Sequence, residues 1–445
     1  MTTELARPLP LAPQKETTPG NYFVSNYPPF SFWTPEQVPK ALEVLDCSPQ
    51  PETPLGLYVH IPFCRKRCHF CYFKVYTDKN AAEIQDYNSD LVRELEMYTG
   101  KAFLGGRRPL FVYFGGGTPS YLSARQLLAL AEELKRVLPW DHAEEVTFEC
   151  EPGTLNESKL ETLREIGVTR LSLGVENFSD HILEINGRAH RSPEIQRVYE
   201  FARSVGFPRI NIDLIAGMVE ETEENWRSCV EKTLAMSPDS VTIYQMEIPY
   251  NTTIYQRMKA EGRLVAPVAD WETKRRWVSE AFAALEAAGY AIGSAYTAVK
   301  DPTRARFLYR DHLWRGADLL SLGVASFSHI NGVHLQNEKD FEVYTSRIER
   351  GEMPIHRGYV LTEDERLIRE TILQFKLGKV SVGYFQDKFG VDIRERFEQP
   401  LASLREEGIL RVEGDDLNLT RAGLLQVDRL LERFFPSAHR SARYT

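Results

Sequence analysis

The sequence predicts an α/β protein: a partial (β/α)6 barrel, preceded by an N-terminal segment and followed by a small winged-helix-like α+β domain. From residue 55 onward, six apolar strand-like runs alternate with helix-like stretches, the pattern of a parallel sheet with right-handed crossovers. After residue 355 the pattern changes to three helical stretches and then two alternating runs that flank Gly414. Helices followed by such a hairpin favour a winged-helix-like domain.

The six runs are short and rich in β-branched and aromatic residues, as buried parallel strands are. They are GLYVHIP, PLFVYFG, EVTFECE, RLSLGVE, INIDLIAG and SVTIYQMEI. The clearest helical stretches are 81–98, 124–137, 158–166 and 269–288. We therefore predict an N-terminal leader and packing segment (1–50), a barrel (51–300), a barrel extension that closes the substrate site (301–354) and the C-terminal domain (355–437).

Two neighbouring N-terminal segments differ in composition. Residues 1–20 are rich in Pro and Thr and predict a flexible leader, whereas NYFVSNYPP at 21–29 carries enough aromatic residues to pack on the body. The start lacks the basic and apolar runs of a signal peptide, and no stretch reaches the ~18 apolar residues of a membrane span. We expect a cytoplasmic location.

The formal net charge of −9 gives no general attraction to nucleic acid or anionic lipid. We expect neither as a partner, and we expect the chain to be a monomer. Six cysteines are too few for a disulfide scaffold in 445 residues, and three of them fall within eight positions. That clustering indicates a metal site.

The cysteine cluster follows the first strand directly, as Cys64-RKR-Cys68-HF-Cys71. Thiolates suit soft metals and iron-sulfur clusters, and three ligands would leave one iron of a 4Fe-4S cluster open to a substrate molecule. Structural zinc is the alternative, with His60 or His69 as a fourth ligand.

Two further patterns stand at the same ends of later strands. Gly115, Gly116 and Gly117 end the second strand, and such a turn lets a ligand approach backbone amide groups closely. Polar side chains end other runs: Glu149, Glu176 and Asp213. These ends converge on one mouth in a parallel barrel, where Arg188 could grip a carboxylate and Asp213 ribose hydroxyls.

With these residues the chain resembles the radical SAM (S-adenosylmethionine) superfamily and, within it, the oxygen-independent coproporphyrinogen III oxidases and their relatives. The resemblance runs from about Tyr22 to the C-terminus. Its motifs are YVHIPF before the cysteine loop, GGGTPSYL, ECEPGTL, RLSLGVENF, NGRAH, NIDLIAGM and DLLSLGVASFSHINGVHLQN at 318–337. The segment NYFVSNYPPF and residues 355–435 are also similar to flanking parts of the oxidases.

The resemblance implies a 4Fe-4S cluster on Cys64, Cys68 and Cys71, two SAM molecules and a 5′-deoxyadenosyl radical. Carried over by motif, one SAM is assigned to Tyr58, Gly116, Glu149, Met246 and Phe327. The neighbouring SAM region is assigned to Phe70, Gly117, Thr118, Glu176, Arg188 and Asp213. Catalytic roles fall to Tyr58 and Glu176, and the resemblance implies a flavodoxin or ferredoxin as electron donor.

The chain departs from the family pattern in three places. Glu176 stands where the family usually has Gln, which replaces a hydrogen-bond donor by an acceptor. Phe73 stands where the oxidases tend to carry a fourth cysteine. Met246-Glu247-Ile248 and the loop at 295–300 (AYTAVK) also differ, and both are expected to face the substrate.

The resemblance implies oxidative decarboxylation of coproporphyrinogen III propionates to vinyl groups in heme biosynthesis, so the small-molecule partner would be a tetrapyrrole. One alternative is a radical SAM C-methyltransferase or cyclopropanase-type relative that uses two SAM. The other is a heme-binding chaperone, for which His312, His329 and His334 are candidate ligands, although isolated histidines more often pack.

Overall fold

The computed structural model describes residues 16–17, 23–50 and 52–440. The predicted leader, residues 1–20, lies outside this part except for Glu16 and Thr17. The described strands are β1 Glu16–Thr17, β2 Leu55–Ile61, β3 Phe111–Gly116, β4 Glu145–Cys150, β5 Arg170–Glu176, β6 Arg209–Ala216, β7 Ser240–Gln245, β8 Ala266–Ala269, β9 Ala291–Ile292, β10 Thr297–Val299, β11 Asp318–Leu322, β12 Phe327–Ile330, β13 Val333–Asn337, β14 Ile355–Val360, β15 Lys379–Ser381, β16 Leu410–Glu413 and β17 Asp416–Leu419.

The α-helices of the described residues surround the main sheet and build the C-terminal domain. They are α1 Val38–Leu45, α2 Ala81–Thr99, α3 Ala124–Val137, α4 Glu157–Glu165, α5 Asp180–Ile185, α6 Ser192–Val205, α7 Glu223–Met236, α8 Thr253–Ala260, α9 Trp271–Ala287, α10 Leu308–Leu313, α11 Phe341–Glu349, α12 Glu363–Phe375, α13 Val382–Phe389, α14 Ile393–Arg396, α15 Glu398–Glu406, α16 Arg421–Leu424 and α17 Val427–Leu431. None of these helices has the length and hydropathy of a membrane span.

The main sheet confirms the predicted α/β class. Its strand order among the described residues is β14-β13-β12-β11-β2-β3-β4-β5-β6-β7-β10-β9. The strands β2 to β7 run parallel and are the six predicted runs. The strand β11 was not predicted and adds a further parallel neighbour to β2.

Capping side chains set the helix ends close to the predicted ones. Helix α2 begins after Asn80, whose side chain accepts from the amides of Ala82 and Glu83. Helix α9 begins at Trp271, two residues later than predicted, because the Asp270 side chain caps the amide of Thr273.

An antiparallel extension enlarges the sheet beyond the predicted barrel. The strands β12, β13 and β14 follow β11 in antiparallel order. Residues 355–360 therefore belong to the main sheet, although the sequence placed the start of the C-terminal domain at 355. The turn Gly332 joins β12 to β13 with a φ of +75°, a conformation that favours glycine.

The N-terminal segment, residues 23–37, lies against this extension and against the C-terminal domain. Phe30 and Trp33 pack on Phe327, with ring centroids 4.6 and 5.7 Å away. Thr34 exchanges two backbone hydrogen bonds of 3.1 Å with Gly358 of β14. The segment thereby covers the outer strand of the sheet.

The small C-terminal domain has its own apolar core. Its antiparallel strands have the order β15-β17-β16, and the predicted hairpin is β16-β17. Val24 and Tyr27 of the N-terminal segment are buried in the same core, so the segment joins the C-terminal domain to the barrel.

Candidate active site

The cysteine loop lies at the carboxyl end of β2, where the sequence predicted it. All three cysteines are free thiols; Cys64 is buried, and Cys68 and Cys71 are half-buried. The Thr118 hydroxyl donates to Cys64 Sγ at 3.2 Å, and Arg188 Nη1 donates to Cys68 Sγ at 3.4 Å. Two residues predicted to bind cofactor therefore contact the sulfur atoms of the loop.

Hydrogen bonds from the segments after two later strands hold this loop in place. His69 donates its amide to Asn186 O at 3.0 Å, and its Nδ1 lies 2.9 Å from Ile185 O. Arg65 Nη2 donates to Ala189 O at 2.7 Å. The amide of Ile254 donates to His69 O at 3.1 Å. The loop is thus fixed by the segments after β5 and β7.

The thiols of the cysteine loop would have to lose their protons in order to bind a cluster. Burial raises the pKa of Cys64 to about 11 and that of Cys71 to about 12, so cluster binding has to release protons. No three His, Cys, Asp or Glu side chains of the described residues are grouped to hold a single metal ion. A cluster of four irons is larger and does not need its ligands to converge on one atom.

The two histidines considered as zinc ligands have other contacts. His69 is bound to Ile185 as described. His60 is buried, its Nδ1 lies 3.2 Å from the Tyr58 hydroxyl, and burial lowers its pKa to about 4. Arg188, by contrast, retains a buried Nε with no hydrogen-bond partner in the described part of the chain. This donor beside Cys68 fits an anionic group.

The glycine turn is used differently from the expectation. The amide of Gly116 donates to Glu149 Oε2 at 3.1 Å, and that of Gly117 to Ile61 O at 2.8 Å. These amides are therefore engaged within the protein. The close approach is also internal, because a Cβ at Gly116 would lie 2.6 Å from the His60 ring and one at Gly117 would lie 2.8 Å from Pro62.

Glu149 joins the first three strands at the mouth. Its Oε1 accepts from the Tyr113 hydroxyl at 2.6 Å, and the Tyr113 ring stacks 5.7 Å from that of Tyr58. Burial raises the pKa of Glu149 to about 7. Tyr113 and its neighbour Tyr309, 4.4 Å away, were not predicted; the strand register that pairs Tyr113 with Tyr58 is the signal that identifies the first.

Glu176 and Arg188 form the second part of the mouth. Glu176 ends β5 with a φ of +63°, which is unusual for a residue with a side chain. Its Oε1 lies 3.8 Å from Arg188 Nη1, and Arg188 Nη2 donates to Gly174 O at 2.5 Å. Burial raises the pKa of Glu176 to about 7, although Arg188 opposes this. The guanidinium therefore stands between Glu176 and Cys68.

Asp213 lies on the neighbouring strand and is held by polar side chains. It accepts from the Ser172 hydroxyl and from Asn211 Nδ2, each at 2.8 Å. Burial raises its pKa to about 6. The predicted acids thus lie close enough together for Asp213 to raise the pKa of both Glu149 and Glu176.

Three other predicted residues have apolar or aromatic neighbours. Met246 is buried in a small apolar cluster, and Phe70 packs against that cluster. Phe327 lies on β12 under Phe30 and Trp33. The structure therefore brings Phe70 close to Met246 and keeps Phe327 on the antiparallel extension.

Three tyrosine side chains near these parts remain partly exposed. Tyr72, Tyr244 and Tyr250 remain 39%, 42% and 38% exposed, respectively, although burial raises the pKa of Tyr72 and Tyr244. Glu247 accepts from the amide of Phe23 at 3.0 Å, and burial raises its pKa to about 8. The departure that the sequence showed at Glu247 thus lies beside the N-terminal segment.

The candidate heme ligands are packing residues. His312 stacks on Phe111 with an interplanar angle of 5°. His329 and His334 are buried, with 3.1 Å between their Nδ1 atoms, and His334 also stacks on Trp33.

Comparisons with known proteins agree with this architecture. A family model described as the radical SAM superfamily matches residues 58–232, and one described as the HemN C-terminal domain matches residues 361–425. The chain is 29% identical over 412 residues to the oxygen-independent coproporphyrinogen III oxidase of Pseudomonas aeruginosa, covering 87% of each chain. It is also 29% identical over 373 residues to the heme chaperone HemW of Bacillus subtilis, covering 83% of this chain and 96% of the relative.

A solved structure shares the fold along most of the chain. The coproporphyrinogen III oxidase of Escherichia coli superposes with a TM-score of 0.79 at 24% identity, covering 93% of this chain and 96% of that one. This solved structure shows the shared fold, and the radical SAM superfamily model, which matches residues 58–232, relates that part of the chain to the superfamily. The HemN C-terminal domain model and the oxidase relatives show that the chain is similar along most of its length to the oxygen-independent coproporphyrinogen III oxidases.

Proposed function

We propose that this protein oxidatively decarboxylates propionate side chains of coproporphyrinogen III, converting them to vinyl groups. The observation that carries the proposal is the cysteine loop at the barrel mouth, with Arg188 donating to Cys68 and Thr118 to Cys64. Support for this substrate comes from the match to the oxidases, which covers 87% of both chains.

The cluster and SAM, when bound, supply a one-electron cleavage and a carbon radical that removes a hydrogen atom from the substrate. Cys64, Cys68 and Cys71 would hold the cluster. Arg188 would orient the thiolate of Cys68, and its unpartnered Nε would receive a carboxylate. We propose that the electron enters from a small external carrier such as a flavodoxin or a ferredoxin.

The surrounding residues would bind and enclose the remaining groups. Glu149, fixed by Tyr113 and by the amide of Gly116, would accept a hydrogen bond from a cofactor or substrate. We keep Tyr58 and Glu176 as the proposed catalytic residues, because both face the mouth. The exposed faces of Tyr72, Tyr244 and Tyr250 offer apolar area for a large macrocycle.

The proposal is tested by anaerobic turnover. The cluster-reconstituted protein is incubated with SAM, a reductant and coproporphyrinogen III, and released CO2 and protoporphyrinogen IX are measured. Both products are expected. A protein that cleaves SAM and releases no CO2 would contradict the proposed substrate, and transfer of a labelled SAM methyl group into product would instead indicate a methyltransferase or cyclopropanase.

The variant Cys68→Ala tests the cluster assignment. It is expected to abolish cluster-dependent SAM cleavage while the barrel stays folded, since Cys68 is a half-buried loop residue. Cys47→Ala, at an exposed free thiol, is the matched control and should retain cleavage. SAM cleavage by Cys68→Ala at the rate of the unaltered protein would show that the ligand assignment is wrong.

Heme delivery is the second candidate, because the heme chaperone HemW matches at the same identity as the oxidase. It predicts stoichiometric heme binding without turnover of coproporphyrinogen. Substituting His312 and His329 separately by Ala tests whether either packed histidine serves as a heme ligand. Heme bound in the unaltered protein and lost in either variant would favour the chaperone.

A further inference from the structure

Arg357 lies on the same face of the sheet as the predicted site residues. Strand register places Arg357 opposite Gln336, and Gln336 opposite Phe327. The register that pairs Leu319 with His329 sets Ser321 opposite Phe327, and Ser321 in turn pairs with Tyr58. Because paired residues share a face, Arg357 and Tyr58 stand on one concave surface.

The Arg357 side chain is fixed but its charge is not compensated. Its Nε donates to Gln336 Oε1 at 2.5 Å, and its Nη1 donates to Phe30 O at 2.8 Å. Both acceptors are neutral, and within the described part of the chain no carboxylate forms an ion pair with it. A half-buried cation of this kind is costly unless it gains an anionic partner.

The second amino group of Arg357 is not fully buried. Nη2 makes no hydrogen bond with the described residues, and it is not among the buried atoms that lack a partner. Tyr250 is close enough to raise the pKa of Arg357, which burial lowers. Asn251, the residue after Tyr250, donates to Tyr72 O at 2.8 Å. This hydrogen bond connects Tyr250 to the segment that follows Cys71.

The rest of the mouth is poor in available positive charge. Glu149, Glu176, Asp213 and Glu247 border it. Arg188 is engaged with Cys68 and Gly174 through both of its amino groups, which leaves only its Nε for a carboxylate, and Lys376 is paired with Asp428 at 2.9 Å. A ligand with several carboxylates would meet acidic groups at most other points, so the guanidinium of Arg357 is the favourable position for one of them.

We propose that Arg357 is a carboxylate-binding subsite, in which its free edge receives either a side-chain carboxylate of the substrate or the carboxylate of a second SAM. The substrate half of this proposal rests on the proposed function, and it names the group that orients the macrocycle. Arg357 acts by binding and positioning.

The experiment measures equilibrium binding of coproporphyrin III, the unreactive oxidised ring, and of its tetramethyl ester to the cluster-reconstituted protein. The unaltered protein is expected to bind the acid more tightly than the ester. Arg357→Gln should raise the Kd of the acid about ten- to a hundredfold, as expected for a lost charge-assisted hydrogen bond, and leave the ester unchanged. Arg357→Lys should fall between them.

A second arm identifies the source of the carboxylate. If the Kd values for the porphyrins stay unchanged in Arg357→Gln but the number of SAM molecules bound falls from two to one, the subsite belongs to SAM. Unchanged porphyrin and SAM binding would overturn the proposal.

The matched control is Asn26→Ala. Asn26 accepts from Arg369 Nε at 2.8 Å, so its loss loosens the same N-terminal segment and leaves Arg357 in place. The preference for acid over ester should persist.

CO2 release is followed in the same proteins. Binding through Arg357 without CO2 release would reject the decarboxylation and keep the subsite, whereas CO2 release with unaltered KM and SAM binding in Arg357→Gln would reject the subsite alone.

Discussion

Gly116 has little space for a side chain. It ends β3 with a φ of +116°, and a Cβ there would lie 2.6 to 2.9 Å from three atoms of the buried His60 ring. Gly116→Ala is therefore expected to lower the free energy of unfolding by about 2–4 kcal/mol through overpacking and backbone strain. Urea denaturation measures the loss, and iron content after reconstitution should fall with it.

Gly100→Ala is the control for this substitution. Gly100 follows the last residue of α2 with a φ of −82°, and a Cβ there would meet nothing within 4 Å. Its stability should stay within about 0.5 kcal/mol of the unaltered protein. Equal stability of both variants would mean that His60 can move aside.

At the residue scale, the sequence predicted the position of the cysteine loop but not the hydrogen bonds around it. The spacing of Cys64, Cys68 and Cys71 after an apolar run was enough to predict a loop at the mouth, because the chain itself connects them. The hydrogen bonds of Gly116 and Gly117 depend on Glu149 and Ile61, which only the folded sheet brings near. The sequence alone did not identify Arg357 as a site residue, because its proposed role follows from strand pairing across the antiparallel extension.

Among the elements, the N-terminal segment depends for its position on one buried charge, that of Lys376. Lys376 Nζ donates to Val24 O at 2.7 Å, pairs with Asp428 at 2.9 Å and lies 3.4 Å from the centre of the Phe23 ring. Lys376→Met removes one partner of a buried pair, which typically costs about 3–5 kcal/mol. Hydrogen exchange should show loss of protection in residues 23–33 and little change in β2 and β3.

Lys388→Met is the control for this element. Lys388 pairs with Glu370 at 2.7 Å and is 37% exposed, and it does not contact the N-terminal segment. Its substitution should leave the exchange of residues 23–33 unaltered. Full protection of those residues in Lys376→Met would show that Phe30 and Trp33 suffice to hold the segment.

Elements were predictable where periodicity and caps agreed. Helix α3 begins and ends at the predicted residues because Ser123 and Gln126 form a capping box at its start. The strand β14 was missed because its IHRGYV pattern mixes charged and apolar residues. The strand β11 was missed because the short helix α10 precedes it, instead of a crossover helix of the usual length.

For the molecule as a whole, buried carboxyl groups make stability depend on pH. Burial raises the pKa of Glu94 to about 7, despite hydrogen bonds from Gly323, Asn337 and Tyr344. A carboxyl whose pKa is raised on folding holds its proton more tightly in the folded state. Its contribution to stability is therefore present below about pH 4.5 and is lost as pH rises towards 7.

Glu94→Gln isolates this contribution from the opposing effect of buried histidines such as His60, whose pKa burial lowers to about 4. The free energy of unfolding of the unaltered protein minus that of Glu94→Gln should fall by about 3 kcal/mol between pH 4.5 and 7.5. Denaturant titrations at several pH values measure it. The control is Glu349→Gln on the exposed face of α11, and a difference that rises with pH would contradict the assignment.

The pairing of Thr34 with Gly358 also bears on how the protein behaves in concentrated solution. An open sheet has two borders whose unpaired backbone groups can recruit a second chain. Here one border is occupied by Thr34 and flanked by α1, whose Ala41 lies against Gly358, and the other ends in the two-residue strand β9. Neither border offers a long, flat template, so this architecture resists edge-to-edge aggregation without having to close its barrel.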